Sequence, residues 1–153
     1  MLIALMLLAA PIGPTDCRIG AYRLDDGSLV TIDPSDDELR WHRLDGTLGV
    51  LHQAAGGTFT STLGFSGRAD GKTVSFDGCQ TIVFDKVAGR RLDFDITDTT
   101  FKSGALELAG RLVLPKGDGP VPIVVLVHGS ESYSGRDRYL LQRLLPAEGV
   151  GVF

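Results

Sequence analysis

Val121-Pro122-Ile123-Val124-Val125-Leu126-Val127-His128-Gly129-Ser130-Glu131 is the stretch on which the fold reading turns. From Ile123 to Val127 every residue is apolar, without the alternation of a strand that has one wet face. Such a run predicts a strand buried on both faces of a parallel sheet. Gly129 then permits close approach of the backbone to a ligand. Downstream, Tyr139, Leu140, Leu141, Leu144 and Leu145 fall at helical spacing and leave Arg138, Gln142 and Arg143 for the wet face. This spacing predicts a helix from about Arg136 to Pro146. Glu148-Gly149 turns the chain, and Val150-Gly151-Val152-Phe153 reads as the start of another strand.

Upstream the periodicity changes. Leu92, Phe94 and Ile96 alternate, as do Leu106 and Leu108 and then Leu112 and Leu114 after the interruption at Gly110, so two longer strands are expected between Gly89 and Pro115. Lys116-Gly117-Asp118-Gly119-Pro120 is an exposed loop. From Ile19 to about Phe84, short β-prone segments flank Asp26-Gly27, Asp45-Gly46 and Asp70-Gly71. Asp-Gly supplies the positive φ of a tight hairpin, so an antiparallel meander is expected there. Arg23-Leu24-Asp25-Asp26-Gly27 echoes Arg43-Leu44-Asp45-Gly46, which indicates two similar hairpins. Trp41, Phe65, Phe76 and Phe84 are the larger candidates for its core. The expected organisation is a possible signal peptide over 1–14, a β-rich accessory domain over 15–88 and an incomplete α/β core over 89–153.

The 153 residues carry a net charge of −4 with both signs interspersed, and no Lys/Arg run provides the footprint of a nucleic-acid binder. Leu2 to Ala10 is apolar but too short to span a bilayer. Its length and its Ala9-Ala10 end fit a signal-peptide core, which implies a periplasmic or secreted bacterial protein. The alternative is an apolar first strand or helix docked on the core. Cys17 and Cys79 are the only two cysteines. In an exported chain they would form one disulfide, and otherwise they are two buried thiols. With His42, His52 and His128 scattered, no metal-ligand spacing emerges, and neither metal nor cofactor is expected.

Phe101-Lys102-Ser103-Gly104, then Leu108 to Pro115, the apolar strand, His128-Gly129-Ser130 and Arg136-Asp137 together resemble the start of bacterial α/β-hydrolases related to dienelactone hydrolases and serine aminopeptidases. The resemblance covers the last third of the chain. It implies a serine hydrolase acting on a small-molecule ester or peptide substrate. In that family the His-Gly turn contributes to the oxyanion hole, which assigns that loop to His128, Gly129, Ser130 and Glu131, with the Ser130 backbone N–H as a donor. No G-x-S-x-G elbow is present. The nearest match, Gly64-Phe65-Ser66-Gly67-Arg68, lacks the last glycine and lies in the hairpin region. The triad would therefore lie outside these residues, making the chain an inactive N-terminal fragment of an esterase or peptidase. The alternative from a different class is a non-catalytic exported β-rich binding protein.

Overall fold

The computed structural model describes residues 16–35, 38–127, 129–130 and 135–153, without the side chains of residues 137 and 138. Eight strands follow one another as an antiparallel run: β1 (Gly20–Leu24), β2 (Leu29–Ser35), β3 (Glu38–His42), β4 (Leu48–Gln53), β5 (Thr58–Leu63), β6 (Arg68–Asp77), β7 (Thr81–Phe84) and β8 (Val87–Arg91). The run closes on itself, because β8 pairs with β1 through Tyr22↔Arg91, Arg23↔Arg90 and Leu24↔Gly89. Closure leaves no strand edge exposed on this part of the molecule.

Period-two alternation decides what fills the barrel. Tyr22, Leu24, Val30, Ile32, Leu39, Trp41, Leu51, Phe59, Val74, Ile82 and Phe84 point inward and form one buried cluster, so the interior is packed with side chains. The largest of them needs a vacancy beside it. Gly49, opposite Trp41, supplies it, since a Cβ there would lie 2.3 Å from the indole Nε1. Trp41 Nε1 donates to Ser61 Oγ at 2.8 Å and Ser61 Oγ donates to Asp70 Oδ2 at 3.1 Å, which satisfies the polar groups carried inward. Cations cover the aromatic ends of the cluster: Arg18 lies 5.1 Å from the Phe59 ring centroid and Arg43 lies 5.2 Å from that of Phe84. Arg18 in turn hydrogen-bonds Asp16 and holds its carboxyl below the usual carboxylate range. Just before β1, Cys17 is joined to Cys79 in the β6–β7 turn by a disulfide, with a Cα–Cα distance of 5.3 Å.

Tyr22 donates from its hydroxyl to the Arg18 carbonyl at 2.7 Å, and burial pushes its phenol above its ordinary pKa of 10.0. The folded state thus favours the neutral phenol. Its contribution to stability is complete below the unfolded value near 10 and is lost as pH rises through the higher folded value. Thermal melts above pH 9 should show a steep alkaline loss of stability that Tyr22→Phe flattens. An identical alkaline limb in the variant would remove Tyr22 as its cause.

The second layer is a four-stranded mixed sheet of order β11-β12-β10-β9. Its strands are β9 (Phe94–Ser103), β10 (Leu106–Pro115), β11 (Ile123–Val124) and β12 (Gly151–Val152). β9 and β10 form a long hairpin, β12 is antiparallel to β10 at Val113↔Val152, and β11 runs parallel to β12. A short helix α1 (Gly135–Arg138) precedes α2 (Leu141–Ala147), which lies between the sheet and the outer face of β1 and β2. Leu144 is buried with Ala21 and Leu29 of the barrel. Arg143 Nη1 meets the buried Asp33 at 2.6 Å, and Arg23 Nη2 donates to the Ala147 carbonyl at 2.7 Å. Apolar contact and two arginines thus clamp the sheet layer to the barrel.

This architecture overturns the α/β-hydrolase expectation, and with it the reading of the chain as a serine esterase or peptidase. Most of the described chain is a closed antiparallel barrel, where the expected fold has a parallel sheet with helices on both faces. The anticipated antiparallel meander closes into that barrel. The run from Ile123 carries only a two-residue strand, and all of it but the half-buried Leu126 is exposed: Ile123 by 52%, Val125 by 64% and Val127 by 86%. Continuous hydrophobicity predicts burial on both faces, but here it borders an uncovered part of the sheet. The expected helix is divided at Tyr139 into two short pieces. A signal peptide over 1–14 lies outside the described residues.

Candidate functional site

The barrel interior is filled, so a site must be sought on the outer surfaces. Among the described residues a cavity of about 400 Å³ opens in the sheet layer. One wall is the first half of β10, from Glu107 to Arg111, and the facing wall is Val125 to Val127. Tyr139 and Gln142 enter from the helical side, and Phe101 and Phe153 close one end. The two rings lie 6.1 Å apart over Gly110, where a Cβ would fall 2.6 Å from Phe153 Cζ. A glycine interrupting a strand of alternating leucines often marks such an approach. That interruption was the sequence's one pointer to the site; Phe101, Tyr139 and Phe153 had none.

Polar contacts hold the rim. Arg111 grips Asp98 on β9 with a two-point fork, Nε to Oδ1 at 2.7 Å and Nη2 to Oδ2 at 3.0 Å, which holds the Asp98 carboxyl below its usual range. The same guanidinium donates to the Arg136 carbonyl at 3.1 Å, and Gln142 Nε2 donates to the Gly135 carbonyl at 3.1 Å. β9, β10, α1 and α2 are thereby fixed around the cavity. Apolar walls with a few oriented polar groups are the usual composition of a small-ligand site.

Of the loop residues singled out from the sequence, Gly129 and Ser130 are exposed. His128 and Glu131 lie outside the described residues, so the four are not seen together as a site. Ser66, in the nearest elbow-like motif, donates to the Leu63 carbonyl at 3.0 Å and serves a turn beside a Phe65 that is 94% exposed. The two described histidines are occupied on the barrel, His42 with Asp33 and His52 with Thr62 and Glu38. Neither hydrogen-bonds a serine, so no serine–histidine pair is seen among the described residues. No group of three or more His, Cys, Asp or Glu side chains is placed to hold a metal among them either.

No family model matches the chain, and no curated protein or solved structure matches it. Among the described residues no helix is long and apolar enough to cross a membrane, a statement that leaves strands aside.

Proposed function

We propose that the chain is a non-catalytic exported binding protein whose ligand site is the cavity between β10 and the segment after β11. The cavity itself carries this reading: its walls are mainly apolar, and its rim is held by the Arg111–Asp98 fork. The barrel serves as its rigid support, because α2 is clamped to β1 and β2 on one side and lies along β10 and β12 on the other. The disulfide between Cys17 and Cys79 supports export, since such bonds persist in oxidising compartments. Protein isolated from its native source without reductant, with both cysteines alkylatable, would contradict export.

Binding is tested with a small apolar fluorophore such as anilinonaphthalene sulfonate. Saturable one-to-one binding is expected, weakened about 10- to 100-fold by Leu108→Arg, because a buried leucine contributes about 1.5–3 kcal/mol and each 1.4 kcal/mol is tenfold. Leu108 is 39% exposed, so the melting temperature should hardly change. Non-saturable binding, or the same affinity in the variant, would refute the site.

A further inference from the structure

A carboxylate, an imidazole and a hydroxyl meet in line on the outer face of the barrel, each from a different strand. Glu38 opens β3, His52 lies near the end of β4 and Thr62 near the end of β5. Their chain neighbours Leu39, Leu51 and Ser61 are buried, so alternation turns all three outward. β3 and β4 pair at Leu39↔Leu51, which sets Glu38 beside His52 one step along the same register. On β5 the residue opposite His52 is Thr60, and Thr62 is its diagonal neighbour. The ring reaches along that diagonal: His52 Nε2 lies 2.9 Å from Thr62 Oγ1, and Nδ1 lies 3.0 Å from Glu38 Oε1. A carboxylate can only accept, so Nδ1 carries a hydrogen, and in the neutral ring Nε2 is then a lone pair that accepts the Thr62 hydroxyl hydrogen. A hydroxyl bonded to a base that a carboxylate orients is the arrangement that activates an oxygen nucleophile. Thr62 also flanks the irregularity where β5–β6 pairing passes from Thr60↔Thr73 to Thr62↔Ala69, and such bulges re-aim side chains. The His52 and Glu38 side chains are 43% and 48% exposed and Thr62 is half-buried, so a reagent can reach the oxygen from solvent.

We propose that Thr62 is an acyl-acceptor site, a position at which the chain takes up one acyl group from an activated ester or thioester, with His52 as the base and Glu38 orienting its ring. Thr62 Oγ1 forms a bond to the acyl carbon and its proton passes to His52 Nε2. The bond from that carbon to the donor's oxygen or sulfur breaks, the phenolate or thiolate leaves with the electron pair, and it then collects the proton from His52. What remains is a threonine ester, whose alkoxide leaves far less readily than the group it displaced. The acyl group therefore stays, and the chain is modified once without turnover, as suits a binding protein. No residue of β3, β4 or β5 lines the cavity beside β10, so this site is separate from the ligand cavity and independent of the binding reading.

The test incubates the 153-residue chain with p-nitrophenyl acetate and locates the acetyl groups by peptide mass spectrometry. Hydroxylamine separates esters, which it cleaves, from lysine amides, which it leaves. A hydroxylamine-labile acetyl group is expected on Thr62, formed about 10²-fold faster than on Thr60, the exposed threonine opposite the same histidine. Thr62→Val should abolish it and Thr62→Ser should keep it. His52→Gln should slow it by about 10²-fold, the contribution of a positioned base, with the fold of each variant checked by circular dichroism. Acetylation of lysines alone, equal rates at Thr62 and Thr60 in the unaltered chain, or an unchanged rate in a folded His52→Gln variant would overturn the proposal and leave the three side chains as a surface contact. Steady nitrophenol release with no retained acetyl group would overturn it as well.

Discussion

Trp41→Ala should lower the stability of the barrel by about 3–5 kcal/mol, the cost of deleting a buried tryptophan whose surroundings cannot collapse. The side chain is 1% exposed and meets Phe84 edge-on with ring centroids 5.2 Å apart. Deletion also takes the indole donor from Ser61 and loosens the bonds that run on to Asp70 and Lys72. Urea unfolding of wild type, Trp41→Ala and Trp41→Phe separates the two contributions, with the phenylalanine variant keeping much of the packing but not the N–H bond. A loss below about 1 kcal/mol for the alanine variant would contradict the packed interior. Gly49→Val attacks the same seat from the other side, and overpacking there should cost about 1–3 kcal/mol. Because the two residues touch, the double variant should depart from additivity.

Reducing the Cys17–Cys79 bond is the second large effect. The cysteines are 62 residues apart, and the chain-entropy relation assigns a loop of that length about 4 kcal/mol. The bond also secures the closing seam: the Cys17 carbonyl accepts from Arg91, the last residue of β8. Urea midpoints with and without reductant, compared with Cys17→Ala/Cys79→Ala, give the value directly. An unchanged midpoint on reduction would show that the packed interior alone holds the seam.

The local turns were legible because their chemistry is local. Gly27 and Gly46 adopt φ of 84° and 83° at the tips of the β1–β2 and β3–β4 hairpins, where Asp26 and Asp45 accept from the backbone N–H two residues on. The echo between Arg23–Gly27 and Arg43–Gly46 is the echo of these two turns. Asp70-Gly71 has the same chemistry with another outcome. It lies within β6, where the pairing jumps from Thr60↔Thr73 to Thr62↔Ala69, and Gly71 takes φ of 76° in a bulge. Of the aromatics expected inside, Trp41 and Phe84 are buried and Phe76 packs at the margin, while Phe65 points to solvent. Closure was not legible, because nothing around Tyr22 or Arg91 specifies the other. The site was hidden for the same reason, since its walls come from segments related only through the order of strands in a sheet. Conversely, the apolar stretch from Ile123 has the composition of a buried parallel strand, and nothing in it marks its exposed position.

That closing seam has a consequence for how fast the molecule folds. Seven of the barrel's pairings join neighbours in the chain, and each can form as soon as its own hairpin exists. The eighth brings Tyr22 beside Arg91. Joining ends about 70 residues apart costs about 2 kcal/mol more entropy than closing a six-residue hairpin. Contacts this distant in sequence slow the search for the native state. Until they form, β1 and β8 are both open edges able to pair with another chain. The circle of strands that gives the mature barrel no edge is therefore also what leaves two of them unprotected while it is being made.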